Sequence, residues 1–203
     1  LPEAKQLPER LDSVLESVYA AYGSVWYDVA AAYPRRKGLA AEAISLGRLL
    51  VQFMPAEPEA KGLLALMLHC EARRNARRTN DGAYVPLSEQ DVTRWSKETM
   101  DEAEHWLRDA SRANRFGRFQ FEAAIQSAHA QRARTGKTDW EAIALLYEGL
   151  VSLSPTVGAR VGHSAAVAEA KAPENGWTLL QTISPAEVGD YQPYWALAAH
   201  RLT

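Results

Sequence analysis

The sequence predicts an all-α fold of stacked antiparallel helix pairs, and three observations lead to that prediction. Apolar residues recur at intervals of three and four along most of the chain, which is the spacing of amphipathic helices. Prolines and glycines separate these segments and favour helix ends. The stretch 73–95 departs from the pattern, so we expect one ordered non-helical insertion, near residues 78–88. The whole chain, 1–203, is expected to form a single domain.

The N-terminal part, residues 7–72, predicts three helices. Residues 7–22 and 39–54 each carry one apolar face. Residues 59–74 form the third predicted helix, and it is apolar almost all round between Leu63 and Leu68, which is typical of a helix buried between its neighbours. Residues 23–37 hold three aromatic side chains and end in a short basic run, which we interpret as a loop with a solvated turn.

Residues 73–95 differ in composition from the helices on either side and are called the insertion below. Asn80-Asp81-Gly82 indicates a tight turn. Ala83–Leu87 has the residues of a short extended segment, and Pro86 excludes a central strand there. Ser88–Asp91 has the pattern of a capping box, so we expect the next helix to begin at Ser88 and to bury Trp95.

The rest of the chain predicts central helices over 96–134 and helix pairs over 138–203. Gly136 fits a helix C-cap, and Thr138-Asp139 fits the cap of the next helix. That helix carries Trp140-x2-Ile143-Ala144-x2-Tyr147, a pattern similar to the first helix of a tetratricopeptide unit. Trp177 follows at close to one repeat length, in an imperfect register. We therefore expect a right-handed, tetratricopeptide-like array in which stacking buries the apolar faces.

Composition and motifs argue against several classes of function. The net charge is −2, so the chain has no overall positive field to hold a nucleic acid. A single cysteine, Cys70, excludes an internal disulfide and favours a reducing, cytoplasmic location. The five histidines are scattered, and the sequence contains no zinc, phosphate-loop or nucleophile-elbow motif. We expect no catalysis, no metal and no cofactor. The start at Leu1 and the end within an amphipathic pattern indicate a piece of a longer protein.

The charged residues of the insertion admit two interpretations. Arginines at the end of a helix complement its dipole and its last carbonyl groups. They can also bind carboxylates of another domain, because the guanidinium group forms paired hydrogen bonds. Capping and packing likewise account for Ser88, Asp91 and Trp95 without any partner.

The insertion and the helix before it carry the pattern Leu63-Leu64-Ala65-Leu66-Met67-Leu68-x2-Glu71-Ala72-Arg73-Arg74-x-Ala76-Arg77, Asp81-Gly82 and Leu87-x2-Gln90-Asp91-x3-Trp95. This pattern resembles the C-terminal extension of one subgroup of bacterial RNA polymerase sigma factors, of the extracytoplasmic-function type. The opening Leu7-Pro8-Glu9-Arg10-Leu11 and the segment around Trp140 are similar to it as well. The sequence departs from the family at Ser88, Val92 and Ser96, where charged residues are usual. The pattern from Leu63 to Trp95 is the most specific part of the resemblance.

This resemblance implies a helical accessory domain that modulates transcription initiation through protein contacts. The expected partners are other domains of the same sigma factor, RNA polymerase or a small regulatory protein, with DNA bound only by domains outside this chain. The alternatives are a stand-alone tetratricopeptide-like adaptor that binds peptides and a small-molecule sensor. The residues that we expect to bind the partner are Arg73, Arg74, Arg77, Asp81, Gly82, Gln90, Asp91 and Trp95.

Overall fold

The structure is a computed structural model that describes residues 7–24 and 38–200, without the side chains of 7–9 and 200. The described residues form α-helices and short 3₁₀ turns, and they contain no β-strand beyond an isolated bridge between Arg78 and Tyr84. The predicted all-α fold is confirmed. The predictions for the aromatic and basic residues of 25–37 lie outside the described residues.

The chain divides into two compact units, residues 1–123 and 124–203. A single domain over 1–203 stays a prediction. The helices are α1 (Leu7–Ser24), α2 (Leu39–Phe53), α3 (Pro58–Ala72), α4 (Lys97–Ser111), α5 (Arg118–Ala130), α6 (Arg132–Thr135), α7 (Trp140–Leu153), α8 (Val157–Ala170), α9 (Pro173–Leu180), α10 (Pro185–Val188) and α11 (Gln192–His200).

Helix α3 is the centre of the first unit, and α1, α2 and α4 pack around it. Its middle turns are buried on every side, as its uniformly apolar sequence predicts. The Tyr22 hydroxyl of α1 donates a hydrogen bond of 3.1 Å to the Met67 carbonyl of α3. Gly62 lets the start of α5 approach, because a Cβ atom at that position would lie 2.8 Å from the Gln120 amide nitrogen. The fully buried side chains of α3 include Leu63, Leu64, Met67 and Leu68.

Helix α4 begins at Lys97, so the predicted start at Ser88 is wrong. Its N-cap is Ser96, whose hydroxyl accepts a hydrogen bond from the Thr99 amide at 3.3 Å. Asp91 does cap, but it caps a 3₁₀ turn of only three residues, Val92–Arg94. The turn ends because Trp95 takes an extended conformation and is buried, and helical geometry cannot continue through it.

In the second unit, helix α8 packs against both α7 and α9. The two predicted caps are confirmed: Gly136 has φ of 72°, and the Asp139 carboxylate accepts from the Ala142 amide at 3.0 Å. Trp140 is the first residue of α7, whereas Trp177 lies in the middle of α9. The two tryptophans therefore do not occupy equivalent helix positions, and the tetratricopeptide-like, right-handed arrangement stays a prediction.

Candidate functional site

The insertion leaves the end of α3 and returns to it. Directly after the insertion, the Ser96 amide donates a hydrogen bond of 2.8 Å to the carbonyl of Ala72, the final residue of α3. Between these points lie three 3₁₀ turns, Arg74–Ala76, Leu87–Glu89 and Val92–Arg94, and the first of them packs against the last. The insertion is therefore an ordered excursion from the helical core, as the sequence predicts.

A short hairpin forms the outer part of the insertion. The Val85 amide donates to the Arg77 carbonyl at 2.9 Å, and the Thr79 amide donates to the Ala83 carbonyl at 3.0 Å. Gly82 has φ of 90°, a left-handed conformation that disfavours side chains, and this accounts for glycine in the turn. The Thr79 hydroxyl donates to the Asp81 carboxylate, and this bond lowers the pKa of Asp81.

Four arginines at the start of the insertion, Arg73, Arg74, Arg77 and Arg78, contact groups in the insertion itself or in α3. The Arg73 Nε donates to the His69 carbonyl at 3.3 Å, and Arg74 Nε lies 3.2 Å from a Glu71 carboxylate oxygen. Arg78 donates to the Gly82 carbonyl at 2.8 Å. The guanidinium carbon of Arg77 lies 6.0 Å from the centre of the Tyr84 ring, and burial lowers the Arg77 pKa. The Arg73 contact fits the interpretation that arginines complete the helix end, because His69 lies in the last turn of α3.

Gln90 and Trp95 are internal to the insertion, since each side chain is only 5% exposed. The Gln90 amide Nε2 donates to the Val85 carbonyl at 3.1 Å and so joins the hairpin to the returning chain. Asp91 is exposed, and its carboxylate accepts from the amide of Thr93 at 2.9 Å and from its hydroxyl at 2.7 Å. These hydrogen bonds lower the pKa of Asp91.

The structure therefore separates the eight predicted residues by accessibility. Gln90 and Trp95 hold the insertion together, and Arg73 and Arg77 are half-buried. The residues whose side chains or backbone face solvent are Arg74, Asp81, Gly82 and Asp91. A partner that docks on the insertion would meet this exposed subset.

Sequence reasoning missed Glu59, which fixes the start of α5 against α3. One carboxylate oxygen accepts from the Phe119 amide at 2.9 Å, and the other accepts from the Gln120 amide and side chain, each at 3.1 Å. Burial raises the pKa of Glu59 although these hydrogen bonds act in the opposite direction. No local signal could identify this contact, because its partners lie about sixty residues apart in the sequence.

His69 lies on α3 one turn before the insertion, and it is 2% exposed. Neither of its ring nitrogens makes a hydrogen bond, although Glu104 Oε1 lies 3.5 Å from Nε2. Burial, with a smaller effect from the Arg73 charge, lowers the His69 pKa to about 3. The imidazole is therefore neutral and buried when the protein is folded at neutral pH.

We expect this histidine to make the first unit sensitive to mild acid. Between the folded pKa of about 3 and the ordinary value of 6.5, the unfolded chain binds a proton that the folded chain does not. The free energy of unfolding should then fall by about 1.4 kcal/mol for each pH unit below 6.5. Urea denaturation at pH 5 and pH 7.5 should show that His69→Leu loses about 2 kcal/mol less than the wild type on acidification.

The control for this prediction is His105→Gln, which removes an exposed histidine from α4. That variant should follow the acid dependence of the wild type. If His69→Leu also follows the wild type, burial of the neutral imidazole is not the source of the acid sensitivity.

No group of three or more histidine, cysteine, aspartate or glutamate side chains in 7–24 and 38–200 is placed to hold a metal ion. Within the same residues, no helix combines the length and the apolar character that crossing a membrane requires.

The chain was compared with protein families, curated proteins and solved structures. A family described as "Family of unknown function (DUF6596)" matches residues 10–111, which include most of α1, all of α2 to α4 and the insertion. A protein of Rhizobium meliloti (strain 1021), described as "Uncharacterized protein R00370", is 35% identical over 182 residues. The alignment covers 90% of this chain and 43% of the relative, so the chain spans less than half of that protein's length. No solved structure matches. Because the family match covers half of the residues, the chain belongs to the DUF6596 family.

Proposed function

We propose that the chain is an accessory, regulatory domain of an alternative RNA polymerase sigma factor of the extracytoplasmic-function type. It modulates transcription initiation through protein contacts in the bacterial cytoplasm and performs no catalysis. Its partners are other domains of the same factor, RNA polymerase or a small regulatory protein, while DNA is bound by domains outside this chain. The proposal starts from the sequence resemblance over α3 and the insertion, which is the most specific match in the chain.

The observation that supports this role most directly is the order of the insertion. Its hairpin, 3₁₀ turns and closing bond to Ala72 hold exposed charged groups on a fixed backbone. A surface that is ordered before binding loses less conformational freedom when a partner docks. Arg74 and Asp91 are exposed where the first and last 3₁₀ turns of the insertion pack against each other. Asp81 is exposed at the tip of the hairpin.

The length of the relative is compatible with this proposal. The alignment leaves more than half of the Rhizobium meliloti protein uncovered. That remainder is long enough for the two domains that, in the resembling sigma factors, bind DNA and polymerase.

Reversal of one exposed charge tests the proposal. In the full-length factor, Arg74→Glu should reduce transcription from the cognate promoter at least about fivefold, since a lost charged contact costs about 1–3 kcal/mol. The same change should leave the fold intact, because Arg74 itself is exposed and its ion pair with the half-buried Glu71 contributes about 1 kcal/mol. Run-off transcription measures activity, and urea denaturation measures stability.

The matched control is Lys97→Glu, which reverses a fully solvated charge in the first turn of α4. Lys97 lies 3.1 Å from Asp101 in an exposed ion pair and is outside the insertion. Transcription by this variant should equal that of the wild type. Equal activity of Arg74→Glu and the wild type, with both folded, would contradict a contact through the insertion.

A further inference from the structure

The loop between α4 and α5, residues 112–117, combines exposed positive charge with aromatic side chains. The segment 110–121, which includes this loop, contains three arginines, three phenylalanines and no acidic residue. The side chains of Arg112 and Arg115 are 72% and 64% exposed. Phe116 follows directly and is exposed as well. These are features of a contact surface outside the insertion.

The loop is held against the connection between α2 and α3. Arg115 Nη2 donates to the Ala56 carbonyl at 3.3 Å. This contact places the loop beside the turn that follows Phe53, the exposed last residue of α2. The ring centroids of Phe116 and Phe121 are 6.3 Å apart, so α5 supports the exposed ring. A surface that is fixed in this way loses less conformational freedom when a partner binds.

The ion pairs of Arg112 and Arg115 are long, in contrast to that of the next arginine. Arg112 Nη1 lies 3.3 Å from an Asp109 carboxylate oxygen, and Arg115 Nη2 lies 3.5 Å from a Glu57 carboxylate oxygen. Arg118 Nε lies 2.7 Å from its carboxylate partner in α5. Charge-assisted hydrogen bonds are typically about 2.7–2.9 Å long, so only the Arg118 contact has full strength. Because a guanidinium group has several N–H donors, the two exposed arginines can bind further carboxylates.

Lys61 of α3 adds to the positive charge of this surface. Its Nζ lies 2.6 Å from Asp109, the same carboxylate group that Arg112 contacts. Since Arg115 pairs with Glu57, three cations share two carboxylates, and the group carries a net charge of +1, three positive charges less two negative ones. A partner that docks here should carry carboxylates, because guanidinium groups bind them with paired hydrogen bonds.

We propose that the loop between α4 and α5 binds an acidic peptide segment of a partner protein, in which aspartate or glutamate residues flank an aromatic residue. The carboxylates contact Arg112 and Arg115, and the aromatic side chain packs on Phe116. Arginine and large aromatic residues are among the types that contribute most to protein interfaces. A protein segment fits better than a nucleic acid, since two guanidinium groups neutralise few phosphates and the chain has a net charge of −2. The inference does not depend on the sigma-factor role.

Fluorescence anisotropy with the full chain and the fluorescein-labelled peptide Asp-Glu-Phe-Asp-Asp-Leu tests the proposal. The peptide should bind measurably in a titration to about 1 mM protein, a range chosen because short peptides bind weakly. The double variant Arg112→Gln, Arg115→Gln should bind at least about tenfold more weakly, since two charge-assisted hydrogen bonds are lost. Phe116→Ala keeps both charges and should weaken binding about threefold, since it removes the aromatic contact.

Three controls make the result specific. The double variant Arg134→Gln, Lys137→Gln removes two exposed positive charges outside this loop and should leave the affinity unchanged. The peptide Asn-Gln-Phe-Asn-Asn-Leu keeps the shape but loses the charge, and it should bind at least about tenfold more weakly. A labelled thymidine decanucleotide supplies phosphates and bases, and it should bind more weakly than the acidic peptide.

Circular dichroism should show that every variant is folded, because the replaced side chains are exposed. Four results would each overturn the proposal: no binding of the acidic peptide, equal binding of the neutral peptide, equal affinity of the folded Arg112→Gln, Arg115→Gln variant, or tighter binding of the decanucleotide. The last result would indicate a nucleic-acid surface in its place.

Discussion

Replacement of Trp95 with alanine is expected to lower the free energy of unfolding by about 3–5 kcal/mol, the usual cost of deleting a large buried aromatic side chain. Trp95 is 5% exposed and stands at the point where the insertion returns to α3. Its loss should loosen the insertion as well as the start of α4. Urea denaturation measures the first effect, and amide hydrogen exchange of the insertion measures the second.

The comparison variant is Tyr84→Ala, which removes an aromatic ring from the same insertion. Tyr84 is 60% exposed, and its Arg77 contact contributes about 0.5–1 kcal/mol, so the expected loss is about 1 kcal/mol or less. If Trp95→Ala costs no more than Tyr84→Ala, Trp95 is not an anchor. Because Trp95 is buried, reduced transcription in Trp95→Ala would report lost structure, and the exposed Arg74 is the better probe of a contact.

Removal of the Glu59 carboxylate should have the second largest effect. Glu59→Ala leaves the backbone amides of Phe119 and Gln120 at the start of α5 without their acceptor, while the Gln120 side chain keeps its hydrogen bond to the Arg115 carbonyl. Unpaired groups in a half-buried position cost about 1–3 kcal/mol each, and water can satisfy some of them. We therefore expect the free energy of unfolding to fall by about 2–4 kcal/mol in urea denaturation.

Two further variants distinguish the contact of the Glu59 carboxylate with the start of α5 from a general effect of losing a glutamate. Glu98→Ala removes an exposed carboxylate from the first turn of α4 and should change stability by less than about 1 kcal/mol. Gly117→Ala should reproduce the loss without altering Glu59, because the added methyl group would collide with its carboxylate carbon. If Gly117→Ala is as stable as the wild type, the Glu59 contact with α5 is not a major contributor to the free energy of unfolding.

Local patterns were sufficient for several features of the fold. The apolar character of α3 predicted its burial, and the residues at Gly136 and Asp139 predicted helix ends that the structure confirms. The residue types of Asn80-Asp81-Gly82 likewise predicted the tight turn in which Gly82 has a positive φ. Each of these depends on interactions within a few residues of sequence, which a pattern can represent.

The error at the start of α4 has a different origin. Ser88–Asp91 satisfies a capping pattern, but the chain there is held by Gln90 bonding back to Val85 and by Ser96 bonding to Ala72. These contacts stabilise short 3₁₀ turns in place of an early helix. The capping pattern describes one turn of chain and contains no information about the helix to which the insertion returns.

The sequence by itself determined the helical fold class, the position of the insertion and the resemblance on which the proposed function rests. Tertiary structure decided which predicted contact residues are accessible, since burial of Gln90 and Trp95 depends on how the insertion packs. It also brought Glu59 to the start of α5. Periodicity and capping are properties of neighbouring residues, whereas burial and clefts arise from contacts between segments far apart in the chain.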